Sequence, residues 1–116
     1  MTTAAILVVS VLVVLVLGTP VAFPRSPGDA AGRADAARRG VPLIYWRSGC
    51  TFCVRMRLFL GLAGRRAVWV NIHRDPEAAA RVRSVNEGNE TVPTVFVGGE
   101  AHTNPSPAWV RSRLRD

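Results

Sequence analysis

The stretch VPLIYWRSGCTFCVRMRLFLGL, residues Val41 to Leu62, decides the fold. Its first six residues are apolar, β-branched or aromatic, as in a buried strand, and Arg47-Ser48-Gly49 ends the run. From Thr51 to Leu62 the apolar residues Phe52, Val54, Met56, Leu58, Phe59, Leu60 and Leu62 mix with Arg55 and Arg57, and Gly61 and Gly64 supply a stop, which predicts a helix. Cys50 then stands at the helix N-terminus. A spacing of three places Cys50 and Cys53 on one helical face within disulfide reach. The unpaired amides and the positive end of the helix dipole meet the first sulfur and favour its thiolate, while the second lies one turn inward and is less exposed. The spacing predicts Cys50 as the attacking thiolate and Cys53 as its resolving partner.

Reading on from this segment, Ala67 to Ile72 predicts a second strand, and Asp75-Pro76-Glu77 opens a helix with Asp as cap and Pro in the first position. That helix runs to about Asn86 and Gly88 closes it. Thr91 to Val97 is a third strand, Gly98-Gly99 a hairpin turn, and Glu100 to Thr103 a fourth strand. Ser106 and Pro107 open a last helix that reaches Leu114. The order βαβαββα implies a small α/β domain over residues 41–116, its first two strands parallel and its last two an antiparallel hairpin.

Before this segment the composition changes twice. Residues 4–17 read AAILVVSVLVVLVL, and no charge appears until Arg25. About 20 uncharged residues at ~1.5 Å each reach ~30 Å, enough to cross a bilayer core, so residues 1–23 are expected to be a transmembrane anchor. A cleaved signal peptide would carry positive charge ahead of the apolar run, and only the amino terminus supplies it here. Arg25, Arg33, Arg38 and Arg39 follow the run, which places the domain in the cytoplasm. Residues 24–40, rich in Ala, Gly, Arg, Pro and Asp without apolar periodicity, are expected to form a flexible linker with at most a helical turn at Asp35 to Arg39.

The two cysteines are too few for a disulfide scaffold, so they carry local chemistry. The net charge of +7 raises nucleic acid as a partner, yet the arginines are scattered singly or in pairs with no binding motif among them, and none is expected. His73 and His102 lack metal-ligand spacing, so neither a metal nor a tightly bound cofactor is expected. Arg47, three residues ahead of Cys50, can support a thiolate there. Arg55 and Arg57 are more distant contributors, read by default as surface residues.

Tyr45 to Cys53, Thr91-Val92-Pro93 and Gly98-Gly99 together resemble the glutaredoxins of the thioredoxin superfamily. Ser84 to Val95 and Thr103-Asn104-Pro105-Ser106 resemble the mycoredoxins of actinobacteria more closely, and the similarity covers about residues 43–115. The arginine-, alanine- and valine-rich composition suits a GC-rich actinobacterium. The resemblance implies a thioredoxin-like fold with a four-stranded mixed sheet, and a cis bond before Pro93. It also implies reduction of mixed disulfides between proteins and mycothiol, or glutathione as a related co-substrate, with Arg47, Phe52, Thr91, Val92, Pro93, Asn104 and Ser106 near the bound thiol. The expected partners are mycothiolated or disulfide-bonded proteins, the low-molecular-weight thiol and the membrane. Thr51 stands where glutaredoxins often have proline, Phe52 where many have tyrosine, and Gly49 where mycoredoxins commonly have an aromatic residue. Three alternatives stay open: a dithiol, thioredoxin-like reductase; a module holding an iron-sulfur cluster through Cys50 of two chains; and an exported oxidant or isomerase.

Overall fold

The computed structural model describes residues 2–17 and 26–114. Four strands, β1 (Leu43–Trp46), β2 (Val68–Asn71), β3 (Thr94–Val97) and β4 (Glu100–Thr103), form one sheet in the order β2-β1-β3-β4. β1 pairs parallel with β2, Ile44 opposite Trp69, and antiparallel with β3, Ile44 opposite Val95; β3 and β4 form the hairpin. Gly98 and Gly99 turn it with φ of +58° and +86°, a conformation glycine adopts without a Cβ clash.

The helices are α1 (Thr3–Leu17), α2 (Asp29–Arg39), α3 (Thr51–Leu60), α4 (Pro76–Val85) and α5 (Pro107–Ser112). Alternation along the strands divides the core. Leu43, Tyr45, Val68, Val70 and Phe96 point to the face covered by α2 and α4. Ile44, Trp46, Trp69 and Val95 point to the other face, where Cys53, Met56 and Leu60 of α3 and Val110 of α5 cover them. The expected βαβαββα order is present, with tighter bounds. The third strand begins at Thr94, after a proline that has no N–H to give a ladder, and two 3₁₀ segments, Gly61–Arg66 and Ile72–Arg74, fill connections where the sequence pattern suggests a helix end and a strand end.

The expected linker over 24–40 is corrected by the structure, because Asp29–Arg39 is an α-helix docked on the sheet. Its contact face is Asp29, Gly32 and Ala36, all buried, and so small a stripe does not register as apolar periodicity. The docking is polar at one end. Asp29 accepts a hydrogen bond from the buried Tyr45 hydroxyl and an ion pair from Arg33 Nε at 3.0 Å, while its own N–H donates to Asp75 Oδ2 at 2.8 Å. Asp75 also accepts from the N–H groups of Glu77 and Ala78, so one carboxylate caps α4 and holds the start of α2. Burial and the bond to Asp29 raise the Tyr45 phenol well above its usual range.

A Cβ built on Gly32 would stand 2.8 Å from Val70 Cγ2. Helix propensity alone would make Gly32→Ala stabilising by ~1 kcal/mol. We expect the opposite sign, a loss of about 1–2 kcal/mol from overpacking against a β-branched side chain that has no room to turn, measurable as a lower midpoint in urea unfolding.

The N-terminal expectation is met only in its apolar character. α1 has 15 residues, ~22 Å at ~1.5 Å per residue, and among the described residues no helix is long and apolar enough to cross a membrane. Residues 18–23 of the expected anchor, and residues 24 and 25, lie outside the described residues. Between Ile6 and Leu15 α1 exposes its large apolar side chains, from Val9 at 49% to Val14 at 67%.

Candidate active site

The site forms where β1 ends. Trp46 is the last strand residue, Arg47 to Gly49 turn the chain, and Cys50 becomes the N-cap of α3 in extended conformation. Gly49 makes the turn with φ of +83°. The Cys50 sulfur accepts a hydrogen bond from the Cys53 N–H at 3.1 Å, the role that Ser or Asp plays at other helix starts. Opposite it, the Val92–Pro93 bond is cis, in agreement with the resemblance, and the Val92 carbonyl lies 3.6 Å from Cys50 Sγ. The next carbonyl, that of Pro93, accepts from the Asn104 N–H at 2.8 Å, tying the loop after β4 to this strand end.

The two sulfurs differ in access and acidity. Cys50 is partly exposed, whereas Cys53 is fully buried beneath it. Burial first, and hydrogen bonding with Cys50 second, push the Cys53 thiol up to about 12 from an ordinary 9.0, with Arg57 pulling in the other direction. A buried thiol held in its protonated form suits a resolving group better than an attacking one. It also gives a sign. The native state prefers the protonated thiol, so this contribution to stability is whole below about pH 9 and is lost as pH rises towards 12. Tyr45 acts in the same sense. Urea unfolding of the reduced protein should show stability falling through this window, with a shallower fall in Cys53→Ser.

The structure corrects the expectation of a surface Arg57: the residue is 4% exposed, with its guanidinium 4.7 Å from the centroid of the Trp46 ring. It lies one turn beyond Cys53 on the buried arc of α3, and its charge acts on both Cys53 and Cys50. Burial lowers its affinity for the proton and the two thiols oppose that. The i, i+4 spacing from Cys53 is the available signal in the sequence. Arginine in an apolar run reads as exposed by default, which hides it.

The structure brings together Cys50, Cys53, Val92 and Pro93, with Asn104 joined through Pro93. The Arg47 and Phe52 side chains lie exposed at the rim, Phe52 at 53%. Thr91 turns its carbonyl to the Thr94 hydroxyl at 2.7 Å. The Ser106 hydroxyl accepts from Trp109 N–H at 3.1 Å as the cap of α5, so its placement beside a thiol is not shown by these contacts. Beneath the turn, Asn71 Nδ2 donates to Ser48 Oγ at 3.3 Å, and its side-chain carbonyl accepts from His73 N–H, a buttress with no signal in the sequence pattern. No group of three or more His, Cys, Asp and Glu able to hold a metal occurs among the described residues. A cleft of about 790 Å³ lined by Arg33, Arg81, Arg113 and the Gly98-Gly99 turn lies at the opposite end of the sheet and takes no part in this arrangement.

One accessible sulfur at a helix start, one protonated sulfur sealed below it and a buried cation behind both make an arrangement for thiol exchange. A model of the glutaredoxin family matches residues 43–102. A candidate glutaredoxin of Mycobacterium tuberculosis is 42% identical over 74 residues, covering 61% of this chain and 86% of that protein. Mycoredoxin 1 of Corynebacterium glutamicum is 38% identical over 72 residues, covering 61% of this chain and 89% of its own length. Among solved structures, a point variant of the thioredoxin-like protein BC3987 superposes with a TM-score of 0.51 at 20% identity, over 64% of this chain and 99% of the other, which speaks to the fold alone.

Proposed function

The chain belongs to the glutaredoxin family and is a thiol-disulfide oxidoreductase, and from that premise we propose that it reduces mixed disulfides between proteins and mycothiol. The observation that carries the proposal is the unequal pair: Cys50 partly open beside the Val92 main chain, Cys53 buried beneath it. The Cys50 thiolate attacks the mycothiol sulfur of the mixed disulfide. The client leaves as a thiolate and takes a proton, and mycothiol is left bonded to Cys50. A second mycothiol thiolate then attacks that bond, giving mycothiol disulfide and restoring Cys50. The main chain of Val92 and the segment Asn104 to Ser106 flank the bound thiol, Arg47 supplies positive charge at the rim, and Phe52 offers an apolar surface where a tyrosine would offer a hydroxyl.

Likeness to Mycoredoxin 1 supports mycothiol over glutathione. α1, apolar on every side, and the uncharged residues after it attach the domain to a membrane, and the arginines that follow keep it on the cytoplasmic side.

Mass-resolved exchange on the full chain, offered mycothiol-capped and glutathione-capped protein substrates, tests the thiol. The expected result is a mycothiol adduct on Cys50, trapped in Cys53→Ser and cleared by added mycothiol. Equal adducts from both thiols would remove the preference. No adduct from either would leave a dithiol, thioredoxin-like route.

A further inference from the structure

α4 ends in a residue whose side chain is joined to both strands of the hairpin. Asn86 is the C-cap; its N–H donates to the Arg83 carbonyl at 3.2 Å and its carbonyl accepts from the Asn89 N–H at 2.9 Å, so its main chain is held on both sides. The carboxamide Nδ2 donates to the Val82 carbonyl at 2.8 Å and to Thr94 Oγ1, at the start of β3, at 3.1 Å. Its Oδ1 accepts from the Thr103 hydroxyl, at the end of β4, at 2.6 Å. The Thr94 hydroxyl in turn donates to the Thr91 carbonyl at 2.7 Å. The direction of each proton is fixed. The Val82 and Thr91 carbonyls only accept, so Nδ2 faces the first and the Thr94 proton goes to the second, which leaves the Thr94 oxygen its lone pairs to offer Nδ2. Thr94 is fully buried, where a lost partner is not replaced by water.

The segment held in this way is the one that faces the nucleophile. The Val92 carbonyl lies 3.6 Å from Cys50 Sγ, and the sheet ladder does not reach it, because the pairing of β3 with β1 stops at Thr94 opposite Tyr45. The loop beside it is tied to the same carboxamide: Asn104, the residue after Thr103, donates its N–H to the Pro93 carbonyl at 2.8 Å. We propose that Asn86 is a positioning residue for the thiol subsite. Through Thr94 and Thr103 its carboxamide sets the Thr91 to Pro93 main chain and the Asn104 loop at one spacing from Cys50, and with that spacing the affinity for the low-molecular-weight half of the mixed disulfide. The inference deepens the proposed function and rests on it for the bound thiol.

The test is steady-state kinetics of the full chain on one client protein, capped with mycothiol or with glutathione. In Asn86→Asp the shape and the acceptor for Thr103 remain, but a carboxylate cannot donate; it draws the Thr94 proton to itself and the Thr91 carbonyl is released. In Thr94→Val the volume remains and both hydrogen bonds go. Each variant is expected to raise KM for the capped client about tenfold with kcat within about twofold, as lost binding does and lost chemistry does not. Alkylation of Cys50 by iodoacetamide, which needs only the sulfur, is not slowed. Thr94→Ser separates this from folding: loss of a buried methyl lowers its urea midpoint, yet the hydroxyl keeps KM near that of the wild type. A KM that follows the urea midpoint across the three variants, or a fall in kcat with slowed alkylation, overturns the positioning role. So do wild-type constants in both Asn86→Asp and Thr94→Val. A wild-type chain that takes neither cap overturns this inference together with the proposed function, whereas a KM shift with the glutathione cap alone supports the positioning role and overturns the preference for mycothiol.

Discussion

Cys50→Ser is expected to abolish turnover of mixed disulfides, whereas Cys53→Ser keeps a large share of it. The asymmetry follows from position. Cys50 is the sulfur open to solvent, and the N–H of Cys53, which the serine variant retains, is what meets it at 3.1 Å. A serine hydroxyl at position 50 accepts the same hydrogen bond but cannot attack a disulfide, so the loss should reach the assay floor, at least about 10³-fold, and leave folding intact. The Cys53 sulfur is buried next to Cys50, so its removal blocks internal resolution and prolongs the adduct without preventing its formation. Single-turnover mass spectrometry separates the two. Full activity in Cys50→Ser would reject the assignment, and complete loss in Cys53→Ser would assign a dithiol route.

Arg57→Gln is expected to slow the attack of Cys50 by up to about tenfold near neutral pH, the equivalent of ~1.4 kcal/mol of differential charge interaction. A cation with 4% exposure is little screened by water, so its field at the two sulfurs is stronger than that of the exposed Arg47 or Arg55. Arg57→Lys should restore part of the rate, because the charge remains while the flat contact over Trp46 is lost. Rescue by the conservative variant distinguishes this from a packing defect: a field effect is partly restored in Lys, whereas loosened packing slows alkylation of Cys50 alike in Gln and Lys. Equal rates in all three proteins would remove Arg57 from the site.

The elements written in strong patterns are legible in the amino-acid sequence. β1 and α3 follow from an uninterrupted apolar run and a glycine stop, α4 from Asp75-Pro76, and the hairpin from Gly98-Gly99; the cysteine pair follows from spacing and the cis bond at Pro93 from resemblance. What escapes is carried by small or polar residues. Gly32 and Ala36 make close contact with the sheet because they are small, and hydropathy does not score absence of bulk. Asp29 is buried because Tyr45, itself in a buried strand, needs an acceptor. That demand is visible in the strand, yet its partner lies 16 residues earlier, and sequence alone does not say which carboxylate returns. Arg57 escapes for a third reason, the general rule that charge faces solvent, which fails where a ring and two thiols receive it.

The docking of α2 has a further effect at the open edge of the sheet. β2 is an edge strand of Val68, Trp69, Val70 and Asn71, all buried, the kind of strand that recruits a neighbour's backbone. At one end the Asn71 N–H is taken by the Ser26 hydroxyl, and at the other the Arg66 carbonyl accepts from the Arg39 guanidinium. The segment around α2 thus fastens the strand at both ends. A chain trimmed to begin at residue 41 would keep its cysteines and their chemistry but present a bare template to other copies, so what it would forfeit is colloidal solubility, and inclusion bodies rather than inactive enzyme would be the sign of it.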